Sequence, residues 1–256
     1  MLNTREIIKK YKIKANKQLG QNFLINEEIC ARIALLGKIE KSDSILEIGP
    51  GLGSLTKQLL LSKANKIYAI EKDENFISIL KKEIINESDE RFNLIQGDAL
   101  KIGFLESNFK IIANLPYNIG TELLTRWIES EKRPSLLILM LQKEVAMRIT
   151  AKAGSKDYGR LSVLCQAFYN CKMEFDVPKN SFIPEPNVAS SIVHLRRKEN
   201  VEINAIKLGK VTRALFMARR KIAKHALHSL NIKTRPDLEQ KRAECLSVED
   251  FISLIS

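Results

Sequence analysis

From residue 44 onward the chain alternates between two hydrophobic rhythms. Short β-rich runs stand at 45–48, 67–70, 92–95, 109–113 and 136–141, and between them 55–61 and 75–85 repeat apolar residues at helical spacing. Strands that are apolar towards both sides, alternating with helices, predict a parallel sheet covered on both faces. Two later runs, 161–169 and 191–195, flank a loop rich in Pro and Asn and read as a closing antiparallel hairpin. Past residue 198 the strand rhythm stops. Residues 206–230 read as one or two basic helices, and 237–241 and 248–255 as two short ones. The expected architecture is an α/β, Rossmann-like domain over residues 1–200 and a small all-helical domain over residues 201–256.

Composition narrows the class. At 256 residues and 45% hydrophobic content the chain can bury a sizeable core, while its longest apolar run has only six residues, far short of a membrane span. Cys30, Cys165, Cys171 and Cys245 form no C-x-x-C pair and no framework. That usage suits a reducing compartment, so a cytoplasmic protein is expected. His225 and His228 lie three apart on a predicted helix, but no cysteine or carboxylate stands at ligand spacing, and no metal is expected. Residues 5–17 are basic and weakly amphipathic, without an apolar core or a small-residue cleavage site, which argues against secretion. With no coiled-coil pattern, a monomer is the default.

The charge is uneven. The net value is +12, yet residues 1–25 hold six bases against one acid and residues 201–256 eleven against six. Each end therefore contributes +5, and the middle 175 residues only +2. Charge concentrated this way is an electrostatic footprint for a polyanion, most often nucleic acid.

Glu47-Ile48-Gly49-Pro50-Gly51-Leu52-Gly53 follows the first predicted strand of the sheet and opens a helix. Glycines there let the backbone turn sharply and approach a ligand where a Cβ would collide. Glu71 closes the next strand, 22 residues beyond Gly49, where a carboxylate can accept ribose hydroxyls. To that point a nicotinamide dehydrogenase is a fair rival. Two features turn the reading towards S-adenosylmethionine. The glycines are spaced G-x-G-x-G behind an acid, and Gly97-Asp98-Ala99 sets a second carboxylate after the third strand, where it can accept an adenine amino group. Two acids and no pyrophosphate-type glycine set suit a cofactor without phosphate.

Asn114-Leu115-Pro116-Tyr117 follows the fourth strand, at the carboxyl edge where open α/β sheets place their sites. An exocyclic amine on a nucleobase is a poor nucleophile because its lone pair is delocalised into the ring. The Asn114 amide oxygen and the Leu115 carbonyl can accept both amine hydrogens, with Pro116 fixing the carbonyl's direction. Held so, the nitrogen pyramidalises and its lone pair is oriented for attack. Tyr117 offers a face on which an extruded base can stack.

These motifs, with Gln21-Asn22-Phe23-Leu24 before them and Phe182-Ile183-Pro184-Glu185-Pro186-Asn187-Val188-Ala189-Ser190 after them, resemble the rRNA adenine N6-methyltransferases. Within these the chain is similar to the small-subunit dimethyladenosine transferases of the kasugamycin-sensitivity type. The resemblance implies a class I S-adenosylmethionine-dependent methyltransferase fold. It implies methylation of two adjacent adenines near the 3′ end of small-subunit rRNA to N6,N6-dimethyladenosine, in a pre-30S particle. It also implies roles. Asn22, Leu24, Gly49 and Gly51 would border the cofactor, Glu71 its ribose, Asp98 and Ala99 its adenine, and Asn114 both cofactor and target amine. Phe182 would face the target base opposite Tyr117. Phe216, Arg219, Arg220 and Lys221 resemble the family's Phe-x-x-Arg-Arg-Lys segment, which would bind RNA, although three adjacent residues on a helix cannot share one face. One departure is Gly120 where the family often has Ser, which puts helix capping there in doubt. The rivals are a large-subunit adenine methylase of the macrolide-resistance type and a non-catalytic ribosome assembly or transcription factor on the same fold.

Overall fold

In a computed structural model of the 256-residue chain, residues 2–15, 21–85, 89–103 and 109–255 are described. A helix, α1 (Thr4–Tyr11), opens the chain behind a reciprocal cap between Asn3 and Glu6. Of the predicted basic stretch 5–17, Lys17 lies outside the described residues. A two-residue strand, β1 (Phe23–Leu24), precedes α2 (Glu27–Leu36). Then come β2 (Ser44–Ile48), α3 (Ser54–Leu60), β3 (Lys66–Glu71), α4 (Glu74–Glu83), β4 (Phe92–Gln96), β5 (Lys110–Asn114), α5 (Gly120–Glu129) and β6 (Leu136–Gln142). Helices α6 (Lys143–Thr150) and α7 (Arg160–Phe168) lead into β7 (Tyr169–Val177), the short β8 (Phe182–Ile183) and β9 (Ser190–Arg197).

Seven strands form one sheet in the order β4-β3-β2-β5-β6-β9-β7, the first five parallel and the last two antiparallel. The alternation of side chains along β6 explains its unbroken apolar run. Leu136, Ile138 and Met140 bury against α2 and α3 on one face, while Leu137, Leu139 and Leu141 bury against α5 and α7 on the other. The separate pair β1–β8 sets Leu24 beside Phe182.

The predicted hairpin is shifted. Residues 161–168 are not a strand but most of α7, and the hairpin partner of β9 is β7, with Tyr169 opposite Arg197. Helix α7 buries Val163, Leu164, Cys165, Ala167 and Phe168 together, so it shows no polar stripe and its run mimics a strand. Strand β7, at the sheet edge, carries the polar alternation of a half-exposed strand.

After β9 the described chain is helical: α8 (Ala205–Met217), α9 (Lys224–Ser229), α10 (Pro236–Glu239) and α11 (Val248–Ser253). Leu208, Val211, Leu215 and Phe251 join the same buried cluster as Val163, Leu164 and Phe168 of α7. Among the described residues no helix is long and apolar enough to cross a membrane.

Candidate active site

The strand order reverses at β2: β3 and β4 continue to one side, and β5 lies on the other. The carboxyl ends of β2 and β5 therefore flank a crevice, the place where doubly wound sheets bind ligands. A cleft of about 220 Å³ opens there, walled by Asn22, Leu24, Gly49, Gly51, Glu71, Asp98, Ala99, Asn114, Leu115 and Tyr117 among others. The topology thus brings together residues drawn from nearly 100 positions of sequence. Phe182 and the basic residues of the tail are not on this wall.

The turn after β2 needs its glycines. Gly49, Gly51 and Gly53 all have left-handed φ, +66°, +55° and +81°. At Gly53, which caps α3, a Cβ would also sit 2.7 Å from Ile84 Cγ1, so this position lets α4's end pack under the turn. The Gly51 N–H donates to Glu71 Oε2 at 3.0 Å, and the N–H groups of Lys72 and Asp73 donate to Oε1 at 2.7 and 2.8 Å. Burial pushes the Glu71 carboxyl up, and these three donors pull it back. Beneath the turn, Glu47 is buried and accepts a 2.7 Å hydrogen bond from Thr56 Oγ1. Desolvation pushes its carboxyl up to about 8.

Asp98 has two occupations. Its Oδ1 accepts the Leu100 N–H at 3.0 Å, which closes the turn after β4, and its Oδ2 pairs with Lys72 Nζ at 3.0 Å. The backbone donor first, and Lys72 second, hold its carboxyl below the ordinary aspartate value. Asp98 is therefore a turn cap and a cleft-wall residue at once. Among the described residues, the next N–H, that of Ala99, has no partner within the protein.

Across the cleft, β5 ends at Asn114, paired with Met140. Its side-chain amide makes no hydrogen bond to the protein among the described residues, and neither does the Leu115 carbonyl. Pro116 accepts from Ile119 and Gly120 at 3.2 and 3.1 Å, which launches α5 without a side-chain cap. Gly120 suits the space, because a Cβ there would stand 3.0 Å from Leu141 Cδ2. Tyr117 Oη and Ser190 Oγ share a hydrogen bond of 2.5 Å. Burial raises the Tyr117 phenol, so the ring stays neutral at ordinary pH.

Two expectations meet a different geometry. Phe182, in β8, is only 2% exposed and belongs to the buried cluster that holds Val177 and Ile192 rather than to the cleft wall. Arg219, Arg220 and Lys221 lie not in a helix but in the turn between α8 and α9. Arg219 is committed to protein: its Nε donates to Glu244 at 2.7 Å and its NH2 to the Lys156 carbonyl at 2.7 Å. Arg220 and Lys221 are exposed. Sequence reasoning gave no role to Lys72, Phe76 or Ser190, which border the cleft or hold its residues. Lys72 follows Glu71 directly, and only a view of the sheet edge places it beside Asp98.

A glycine turn at the switch point, one carboxylate after β3 and another after β4, with this strand order, define a class I S-adenosylmethionine-dependent methyltransferase. The profile described as ribosomal RNA adenine dimethylase matches residues 12–255. The chain is 42% identical to ribosomal RNA small subunit methyltransferase A of Clostridium botulinum (strain Kyoto / Type A2), over 98% of this chain and 96% of that one. It is 38% identical to the protein of that name from Wolbachia sp. subsp. Brugia malayi (strain TRS), over 96% and 98%. A crystal structure of a dimethyladenosine transferase from Plasmodium falciparum superposes with a TM-score of 0.78 at 30% identity, covering 90% of this chain and 94% of that one. The 23S rRNA methyltransferase ErmE shares the fold, with a TM-score of 0.67 at 21% identity over 91% and 99%. The chain belongs to the ribosomal RNA adenine dimethylase family.

Proposed function

We propose that this chain methylates N6 of two adjacent adenines near the 3′ end of small-subunit rRNA, in a pre-30S particle, giving N6,N6-dimethyladenosine. The carrying observation is the pair of uncommitted acceptors, the Asn114 amide oxygen and the Leu115 carbonyl, beside Tyr117 on the cleft wall. The small-subunit assignment rests on relatives that are 38–42% identical over nearly the whole chain and are named for that activity.

The cleft suits S-adenosyl-L-methionine, which when bound supplies a methyl group on a cationic sulfur. Asn22, Leu24 and Gly49 would border its amino-acid end, and Gly51 and Glu71 its ribose. Three of about four acceptor sites on Glu71 are taken by backbone N–H groups. Oε2 therefore keeps room for one ribose hydroxyl, and a second would share Oε1. Asp98 would accept the adenine amino group, and the free Ala99 N–H would offer a donor to the cofactor.

On the substrate side, Asn114 Oδ1 and Leu115 O each accept one hydrogen of the target amine. The amine nitrogen is thereby pyramidal, with its lone pair directed into the cleft. The neutral Tyr117 ring stacks on the extruded adenine, which pays part of the cost of unstacking it from its neighbours. After transfer the cationic nitrogen loses its proton to water, so no general base is required. The helical tail, residues 201–256, carries cations for rRNA phosphates.

The test is transfer of a labelled methyl group to small and large ribosomal particles, followed by mapping of the modified nucleotides. Dimethyladenosine at two adjacent small-subunit adenines is expected. Label confined to the large subunit would replace this reading with the macrolide-resistance type, and no label with an assembly role.

A further inference from the structure

We infer that the loop between α6 and α7 is part of the RNA-binding surface, and that Arg219 is the positioning residue that holds it there without touching RNA; this rests on the rRNA reading above. Residues 152–156 belong by sequence to the sheet domain, and no motif points to them. The structure ties them to the tail at three places. Arg219 NH2 donates to the carbonyls of Lys156 and Ser155 at 2.7 and 3.4 Å. The Gly154 N–H donates to the Glu244 carbonyl at 2.7 Å. Glu244 in turn accepts from Arg219 Nε at 2.7 Å, so one guanidinium bridges loop and tail.

Tyr158, just past the loop, anchors it from below. Its ring meets Phe216 edge-on at 6.1 Å, and Phe216 stacks on Phe251 at 5.6 Å. A backbone bridge between Ile222 and Arg242 then sets the turn after α8 against the segment before Glu244. Lys152, Lys156, Arg220, Lys221 and Arg242 are consequently carried on backbone segments that hydrogen-bond to one another.

The group differs from the paired cations of the molecule, and from unpaired ones among the described residues, such as Lys41 and Lys63, in being gathered on segments that hydrogen-bond to one another. Arg126, Lys143, Arg148, Arg160 and Lys241 all have carboxylate partners. All five cations of the loop-and-tail group are exposed, and among the described residues none has a carboxylate partner. Clustered cations without protein partners repel one another, a cost that a polyanion removes by replacing its own counterions with them. Arg219 keeps only its NH1 donors free, and because either two-pronged fork also uses NH2, a bidentate phosphate contact would release the loop.

The test measures binding of the full-length protein to small ribosomal particles as a function of salt. Methylation of those particles by the wild type is measured first and judges the substrate reading by itself. In Lys152→Ala/Lys156→Ala the log–log salt slope should flatten by about 1.4 to 1.8, borrowing the per-contact value for nucleic acids. Affinity for S-adenosyl-L-methionine should be unchanged. Lys41→Ala/Lys63→Ala, two exposed lysines just before β2 and β3, should keep the wild-type slope. Arg219→Ala should weaken particle binding in the wild-type background and add nothing in the Lys152→Ala/Lys156→Ala background, since a positioning residue acts only through what it positions. An active wild type whose loop variant keeps the full salt slope would overturn the surface. A loss on Arg219→Ala that adds fully to the loop variant would make Arg219 a direct RNA contact and overturn its positioning role.

Discussion

Tyr117, just after β5, and Ser190, 73 residues later, share a 2.5 Å hydrogen bond that pins the proposed stacking ring to the first residue of β9. Ser190 is fully buried, so the anchor sits below the ring and away from solvent. Removing it leaves the ring in place but free to swing. We predict that Ser190→Ala lowers methylation of the particle by roughly 2- to 10-fold, the range of one net hydrogen bond. Tyr117→Phe should cost about the same, and the double variant no more than either, because both remove one interaction. Single-turnover rates on the three variants check this, and additive losses would show that the two hydroxyls act separately.

Asn114 stands at the other side of the same turn, with its amide uncommitted. Asn114→Ala should cost about two orders of magnitude or more in turnover, the scale of a lost orienting contact at a reacting group. Cofactor binding should remain measurable by calorimetry, since Glu71 and Asp98 are untouched. Near wild-type methylation by this variant would remove Asn114 from the chemistry.

Glu71 has a structural duty besides its proposed ligand. Its carboxylate holds the N–H groups of Gly51, Lys72 and Asp73, which shape the turns on both sides of the cleft. Glu71→Ala should therefore weaken the cofactor by roughly 1.5–3 kcal/mol and lower Tm in its absence as well. Glu71→Gln should not rescue, because its NH2 group would face backbone donors. A variant with weakened cofactor and an unchanged apo Tm would assign Glu71 to the ligand alone.

The central strands were legible because they are buried on both faces, as in β2 and in β6, which is apolar at every position from Leu136 to Leu141, whereas β4 at the sheet edge is only partly buried. The cleft was legible for a different reason: strand ends in this topology converge on one edge, so Gly49, Glu71, Asp98 and Asn114 needed only their places after successive strands. Helix α7 was misread as a strand because burial on all sides erases the amphipathic period. The β1–β8 pair could not be foreseen, since two strands of two residues are too short to leave a pattern, yet it sets Phe182 opposite Leu24. Nothing in the run Arg219-Arg220-Lys221 distinguishes the arginine that grips Glu244 from its neighbours. That distinction depends on a loop 63 residues earlier.

Glu47, the acid before the glycine turn, makes the protein's stability depend on pH in a direction opposite to that of a salt-bridged carboxylate. Burial raises its folded-state pKa to about 8, whereas an unfolded glutamate titrates near 4.3. Between those values the native state holds a proton that the unfolded state has lost. Stability is then fully present below about pH 4.3 and is lost as pH rises, until the group ionises in the fold near 8. The slope reaches at most about 1.4 kcal/mol per pH unit for a single group. Carboxylates with lowered values, such as Asp98 and Asp176, act the other way, but chiefly below pH 4. Glu47→Gln carries no titrating proton and keeps an oxygen for the Thr56 hydroxyl. Relative to wild type it should gain stability steadily from pH 5.5 to 7.5 in urea titrations, with equal m-values. A difference between the two proteins that stays flat over that window would mean that Glu47 ionises in the fold at an ordinary pKa, with water reaching it from the cleft.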